Sequence, residues 1–245
     1  MESTRLTQAG LINSIGGSDY NFRDKQGEIA VHGDLLRLTH TVSDQVTGIV
    51  YAQQVHEDQV TYVTSQSGDD LIQRIEESDG LMTDEVGLAL VIKFADCTPI
   101  VIFDPVKRVQ ATVHSGWRST VKEISALAIK QMQDQFHSNL EDLIVYIGPT
   151  IDQKHYQVGS EVYDAFAQVG ERQRYFQPAE EADKYYLNML EANMYILEKT
   201  GIHPDQIEYT DEFTYTSDRL HSARRDQPDY GLNAMVTIIA PSPNN

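Results

Sequence analysis

Three short apolar runs in the middle of the chain, Val86 to Phe94, Pro99 to Phe103 and Val109 to Val113, constrain the fold more than any other feature. Each has the length of a strand, and each stops at polar or turn-forming residues: Asp96-Cys97, Asp104-Pro105 and His114-Ser115-Gly116. Such runs read as buried strands. Around them the pattern alternates. Gly48 to Ala52 and Val60 to Thr64, β-branched and aromatic, read as strands, as do Leu143 to Ile147, Ile207 to Thr210 and Val236 to Ile239. Ile124, Leu127, Ala128 and Met132 recur at helical spacing within Val121 to Phe136, with Ser119 or Thr120 placed to cap that helix. Glu161 to Val169 and Leu187 to Thr200 also read as helices, the second ending at Gly201 with Pro204 beyond.

Elsewhere the signals are weaker. Gly16-Gly17-Ser18-Asp19 reads as a turn, Ile29 to Leu38 as either a short strand or a helix, and Ser65 to Asp70 and Glu76 to Gly80 as loops. Ala240 to Asn245 reads as a loose tail. No repeat, low-complexity tract or linker divides the 245 residues, so one domain over 1–245, of α/β or α+β class, is the expectation.

Charge and composition narrow the function. A formal net charge of −18 repels polyanions at long range and argues against a nucleic-acid partner. No apolar stretch approaches the ~20 residues needed to span a bilayer, which argues against a membrane role. Met1 to Gly10 lacks the basic-then-apolar layout of a signal peptide, so a cytoplasmic location is expected. The single cysteine, Cys97, rules out an intrachain disulfide and suits a reducing compartment.

Cys97 sits between two apolar runs, beside Asp96 and before Thr98-Pro99, where a strand end presents a reactive group better than it packs one. His114 ends an apolar run in the same way, and Gly116 lets the chain turn there. The helix start that follows directs backbone amides toward the same place. His56 ends the approach Gln54-Val55 and precedes Glu57-Asp58. Two imidazoles and one thiolate suit zinc with a fourth position open, and zinc-bound water is acidic enough to act near neutral pH. The spacing alone is not diagnostic: the chain has no CxxC, HExxH or HxH pair, and satisfied core histidines are the competing reading.

The motifs Gln54-Val55-His56, Asp79-Gly80-Leu81-Met82-Thr83, Ala95-Asp96-Cys97-Thr98-Pro99 and Val113-His114-Ser115-Gly116-Trp117-Arg118 occur in one characteristic order. Ile147-Gly148-Pro149-Thr150-Ile151, Tyr156-Gln157-Val158-Gly159 and Ser222-Ala223-Arg224-Arg225-Asp226 continue it. Together they resemble the polyphenol oxidase or laccase-domain family, whose members are also described as purine nucleoside phosphorylases and, in some bacteria, as peptidoglycan editing factors. The resemblance spans roughly Val46 to Ile239, leaving 1–45 as a divergent N-terminal segment. It implies a layered α/β sandwich with mixed sheets, similar to that of cytotoxic-necrotizing-factor-like toxin deamidases. It also implies a catalytic zinc on His56, Cys97 and His114. The activity implied is phosphorolysis of adenosine, inosine, guanosine and methylthioadenosine, with adenosine deamination alongside. Small molecules, a purine nucleoside and phosphate, are then the partners, and the chain a monomer or small homo-oligomer. The sequence departs from the family pattern at Ser14-Ile15 before Gly16-Gly17, at Phe213, at Leu220-His221 and at Leu232, all outside the three ligands.

Under this reading Arg118, Arg224 and Arg225 are candidates for holding phosphate, since a guanidinium fork matches its oxygens. Pairing with carboxylates is their competing role. Asp96 is a candidate substrate contact, or a partner that orients His56 or His114, or a turn cap. Trp117 either stacks on a base or belongs to the core. Four rival functions stand beside phosphorolysis. The same centre can hydrolyse a peptide-like bond of a cell-wall precursor. Copper oxidation fits the old family name and a His2Cys set, although the histidine arrays of a multicopper oxidase are missing. Cys97 can serve as a metal-free nucleophile activated by His114. A structural zinc in a binding module needs a fourth ligand.

Overall fold

The computed structural model describes residues 2–65 and 71–241. The loop expected at Ser65 to Asp70 and the tail at Ala240 to Asn245 therefore lie largely outside the described residues. Two mixed sheets stack face to face. One contains β1 (Leu11–Gly16), β2 (Gly48–Ala52), β4 (Ile72–Ile75), β6 (Leu88–Phe94) and β14 (Asn233–Ile239), in the order β1-β14-β6-β2-β4. The other contains β3 (Val60–Tyr62), β5 (Gly80–Thr83), β7 (Thr98–Asp104), β8 (Val109–Ser115), β9 (Ile144–Ile147) and β13 (Ile207–Tyr209), in the order β13-β9-β7-β8-β5-β3. A small antiparallel sheet of β10 (Gln157–Gly159), β12 (Lys184–Leu187) and β11 (Phe176–Pro178) sits beside them.

The central runs are apolar because both faces of their strands are covered. Along β6, Leu88, Leu90 and Ile92 pack toward Leu81 and Val50, and Phe94 toward Phe103 and Met235, all between the sheets. Ala89 and Val91 turn the other way, onto Val31, Leu35 and Leu38 of α2 (Glu28–Val42). In β7 and β8, Ile100, Ile102, Ala111 and Val113 pack on Ile124, Ala128 and Met132 of α4 (Ile124–Phe136) and on Leu197 of α6 (Met189–Thr200). Val101 and Phe103 point inward. The result is a helix–sheet–sheet–helix sandwich, the layered mixed-sheet architecture expected. The filling between the sheets is not wholly apolar: the hydroxyls of Thr112 and Thr237 meet across it at 2.8 Å.

Several expectations are refined. Ile29 to Leu38 is helix, because Val31, Leu35 and Leu38 form one buried stripe. The helix expected over Val121 to Phe136 begins at Ile124, after a separate turn of helix, α3 (Trp117–Val121). Glu123, in the left-handed region with φ 56°, breaks the two apart. Glu123 rather than Ser119 or Thr120 stands at the N-cap of α4; those two residues lie inside α3, where the Thr120 hydroxyl donates back to the Gly116 carbonyl. Of the helix expected at Glu161 to Val169, residues 161–165 are α-helix (within α5, Ser160–Ala165) and 166–168 tighten to 3-10 geometry. Strand β4, the three strands of the small sheet, helix α1 (Thr4–Ala9) and strand β1 carried no recognised signal. The N-terminal segment is part of the sandwich, since β1 pairs with β14 along its whole length. Among the described residues, no helix is long and apolar enough to cross a membrane.

Phe103, fully buried between the sheets, should be among the costliest truncations. Phe103→Ala is expected to lower the unfolding free energy by about 3–5 kcal/mol in urea titrations. Ile29→Ala, on a side chain 91% exposed, should change it by no more than about 0.5 kcal/mol.

Candidate metal centre

Strand register brings the three sequence candidates together. β2 runs parallel to β6, so His56, in the loop after β2, and Cys97, in the turn after β6, leave the first sheet at the same end. That turn carries the chain into the second sheet, where β7 returns antiparallel to β8 with Pro99 opposite His114 and Thr98 opposite Ser115. Cys97 therefore lies beside the end of β8. The mouth of the sandwich holds all three residues, and their ligand atoms lie within 4.8 Å of one another. Cys97 Sγ is 3.9 Å from His56 Nε2, and the two imidazoles stand edge to face, 4.9 Å between centroids. His114 is buried, Cys97 half-buried and His56 exposed. Among the described residues this is the one such grouping of potential ligands.

Gly116 closes the argument for a shared focus. A Cβ built there would stand 3.0 Å from His56 Cδ2, 3.1 Å from Cys97 Sγ and 3.6 Å from His114 Cε1. A side chain at this position would fill the space between His56, Cys97 and His114, and glycine keeps it open. With two imidazole nitrogens and a thiolate around it, the space fits a borderline-soft divalent ion.

Asp79 holds the arrangement together, a role the sequence reading did not assign. Its fully buried carboxylate accepts the backbone N–H groups of Val55 (3.0 Å), His56 (3.0 Å) and Glu57 (2.8 Å), and the Nδ1 proton of His114 (2.9 Å). Its carbonyl accepts the His114 amide at 2.7 Å. Burial alone would raise its pKa, but the His114 and amide hydrogen bonds outweigh burial and hold the carboxyl below its usual range. One carboxylate thus pins His56 in the left-handed region (φ 62°) and fixes the His114 tautomer, leaving Nε2 for a ligand.

The thiol responds to the same surroundings. Burial opposes ionisation of Cys97, yet the His114 charge and hydrogen bonds from both imidazoles prevail and lower its pKa to about 6. Burial likewise disfavours the His114 cation, but Cys97 and Asp79 raise its pKa to about 9. The two histidines therefore favour the ionised form of Cys97, the negative sulfur that a metal requires.

The other candidates fall out differently. Asp96 does not orient either histidine: its carboxylate accepts the Thr214 hydroxyl and the Arg224 amide, both at 2.6 Å. Those bonds hold it at φ 82° in the turn that carries Cys97. Arg225 is not available to a ligand, because its guanidinium is consumed by the carbonyls of Thr214, Tyr215, Ser217 and Leu220 and by Asp226. Arg118 is exposed and lies over the Trp117 ring at 4.2 Å, outside the cleft lined by His56, Cys97 and His114. Trp117 packs, half-buried, against the cluster under α5 and α6. Arg224 does line the cleft, a space of about 380 Å³, together with Tyr156, Lys93 and Asp24. Tyr156 has its phenol pKa raised by burial and by the neighbouring Cys97 charge, so it stays a proton donor. Lys93 and Asp24 were missed because one sits in an apolar strand and the other in the N-terminal segment. Asp79 is visible in the sequence within the loop Glu76 to Gly80 and the motif Asp79-Gly80-Leu81-Met82-Thr83, with no role attached to it.

The family model described as multi-copper polyphenol oxidoreductase laccase matches residues 14–240, reaching well N-terminal of Val46, where the motif resemblance begins. The purine nucleoside phosphorylase YlmD of Bacillus subtilis is 32% identical over 236 residues, covering 91% of this chain and 85% of that protein. The solved structure of the hypothetical protein YfiH from Bacillus licheniformis superposes with a TM-score of 0.86 at 25% identity, over 96% of this chain and 94% of that one. YlmD from Geobacillus stearothermophilus superposes with a TM-score of 0.85, also at 25% identity, over 95% and 93%. Sequence match, fold and the order of the site motifs agree, and the chain belongs to the laccase-like multi-copper polyphenol oxidoreductase family.

Proposed function

We propose that the protein is a zinc-dependent purine nucleoside phosphorylase whose metal is held by His56, Cys97 and His114. The observation that carries this reading is the convergence of those three donors on the space that Gly116 leaves open. The names of relatives such as the Bacillus subtilis YlmD protein supply the substrate class. One thiolate and two neutral imidazoles make a three-ligand set with an open position, the pattern of catalytic rather than structural zinc. Zinc, when bound, contributes a Lewis acid that functions near neutral pH without redox chemistry.

The chain's own residues perform the remaining tasks. Asp79 keeps the His114 Nδ1 protonated and its Nε2 free, and it fixes the His56 loop. Arg224, whose guanidinium donates to the carbonyls of His155 and Gln157, stands over the Tyr156 ring and is bonded to no carboxylate among the described residues, is the cation proposed to hold phosphate against the sugar carbon. Tyr156, kept protonated, is a donor for the leaving purine. Net, phosphate oxygen bonds to the anomeric carbon, the N-glycosidic bond breaks, and the base departs with a proton. Adenosine, inosine, guanosine and methylthioadenosine share that bond, and adenosine deamination at the same centre would require a water in place of phosphate. The free thiol suits a reducing cytoplasm. Copper oxidation is disfavoured, since one group of three donors among the described residues cannot build a multicopper cluster.

Purified with zinc, the chain is expected to carry one ion. Cys97→Ala and His114→Ala should each lose it by elemental analysis and abolish phosphorolysis of inosine, with far-ultraviolet circular dichroism unchanged. Full turnover in either variant would remove the assignment. Asp79→Asn should weaken zinc binding about 10–100-fold in chelator competition, the range expected for losing the partner of a ligating histidine. Gly116→Ala should weaken it too, with little change in thermal stability. Arg224→Ala should raise the KM for phosphate and leave the KM for inosine close to that of the parent chain. An equal rise in both would assign Arg224 a structural part instead.

A further inference from the structure

Lys93 is the one charged side chain in the otherwise apolar strand β6. It is only 6% exposed, yet it lines the cleft that contains Cys97, His56 and His114. Its ammonium donates to Asp24 Oδ1 at 2.7 Å and passes over the Tyr51 ring at 5.3 Å. An ammonium has three N–H donors, and Asp24 is the one acceptor side chain bonded to it among the described residues. Asp24 is half-exposed and lines the same cleft, with its second oxygen outside that bond.

The lysine is also held rigidly. The Gln54 side chain accepts the Lys93 amide at 2.9 Å and donates to the Lys93 carbonyl at 2.6 Å. Gln54 belongs to the loop that delivers His56, so the lysine and the metal centre are fixed to one piece of backbone. A salt-bridged pair carries no net charge, which makes it a poor trap for a free anion. It places an N–H donor next to a carboxylate acceptor, which is what a hydroxyl group requires, since a hydroxyl both accepts and donates.

We infer that Lys93 and Asp24 form a hydroxyl-recognising pair that seats the sugar of the substrate beside the metal centre. This deepens the nucleoside reading and rests on it. The ammonium donates to a sugar hydroxyl oxygen, and the free carboxylate oxygen accepts a hydroxyl proton. Asp24 draws the N-terminal segment into substrate selection, which gives residues 1–45 a part in specificity.

The test compares inosine with 2′,3′-dideoxyinosine on the zinc-loaded full chain, by turnover with phosphate and, separately, by ligand-observed NMR binding without phosphate. The parent chain should favour inosine in both. Asp24→Ala, with its folding checked by far-ultraviolet circular dichroism, is expected to lose about tenfold in kcat/KM for inosine, mainly through KM. It should stay within about twofold of the parent on the dideoxy compound. Lys93→Met should show the same collapse of discrimination, and Lys93→Arg should restore part of it. Unchanged discrimination in Asp24→Ala, or equal losses on both compounds, overturns the pair while leaving phosphorolysis standing. A parent chain that binds inosine selectively but never splits it overturns the phosphorylase reading and leaves the pair standing. Binding of neither compound overturns both.

Discussion

The candidate site depends on one buried carboxylate. Asp79 has no exposed surface, and burying an ionised carboxylate is costly unless hydrogen bonds replace the lost water. Here three consecutive backbone amides and the His114 ring supply them. Each bond does something local: the amides hold the His56 loop in a left-handed conformation, and the ring bond chooses the His114 tautomer. Remove the charge and both histidines lose their orientation together. The position of Asp79, just ahead of β5 and bonded through its carbonyl to the end of β8, ties this loop to the second sheet.

Around that anchor, topology does the rest. Each metal-ligand candidate lies at or beyond a strand end, the strands belong to two sheets, and at the site the chain passes between the sheets in the β2–β3 loop, which carries His56, and in the β6–β7 crossing. Cys97 stands on that crossing. Its turn is itself pinned: the Asp96 carboxylate by Thr214 and Arg224, the Asp96 carbonyl by the Thr150 hydroxyl and the Ile151 amide. Rigid sheets covered by helices on their outer faces thus present a thiol and two imidazoles with little freedom to separate. Such preorganisation is what a metal with definite coordination geometry requires.

How much of this the sequence disclosed follows from physical range. Strands buried on both faces announce themselves as unbroken apolar runs, so β6, β7 and β8 were legible, as were the residues at their ends. The motif order joins His56, Cys97 and His114. Short edge strands such as β4, β10 and β11 gave no signal, because partly exposed residues carry little periodicity. The partners of the charged residues were hidden for a different reason. Arg225 bonds to carbonyls up to 11 residues upstream, and Lys93 finds Asp24 69 positions away, contacts that no local pattern encodes. Asp96 sat beside the cysteine and attracted the orienting role, while the carboxylate that fills it for His114, Asp79, lies 35 positions away.

The central claim is that one sulfur and two ring nitrogens share a single ion. X-ray absorption fine structure on the zinc-loaded chain addresses it without reference to activity. The account requires one Zn–S distance of about 2.3 Å and two Zn–N distances of about 2.0–2.1 Å from this protein's side chains. A coordination shell free of sulfur, or one unchanged when Cys97 is replaced by serine, would contradict it.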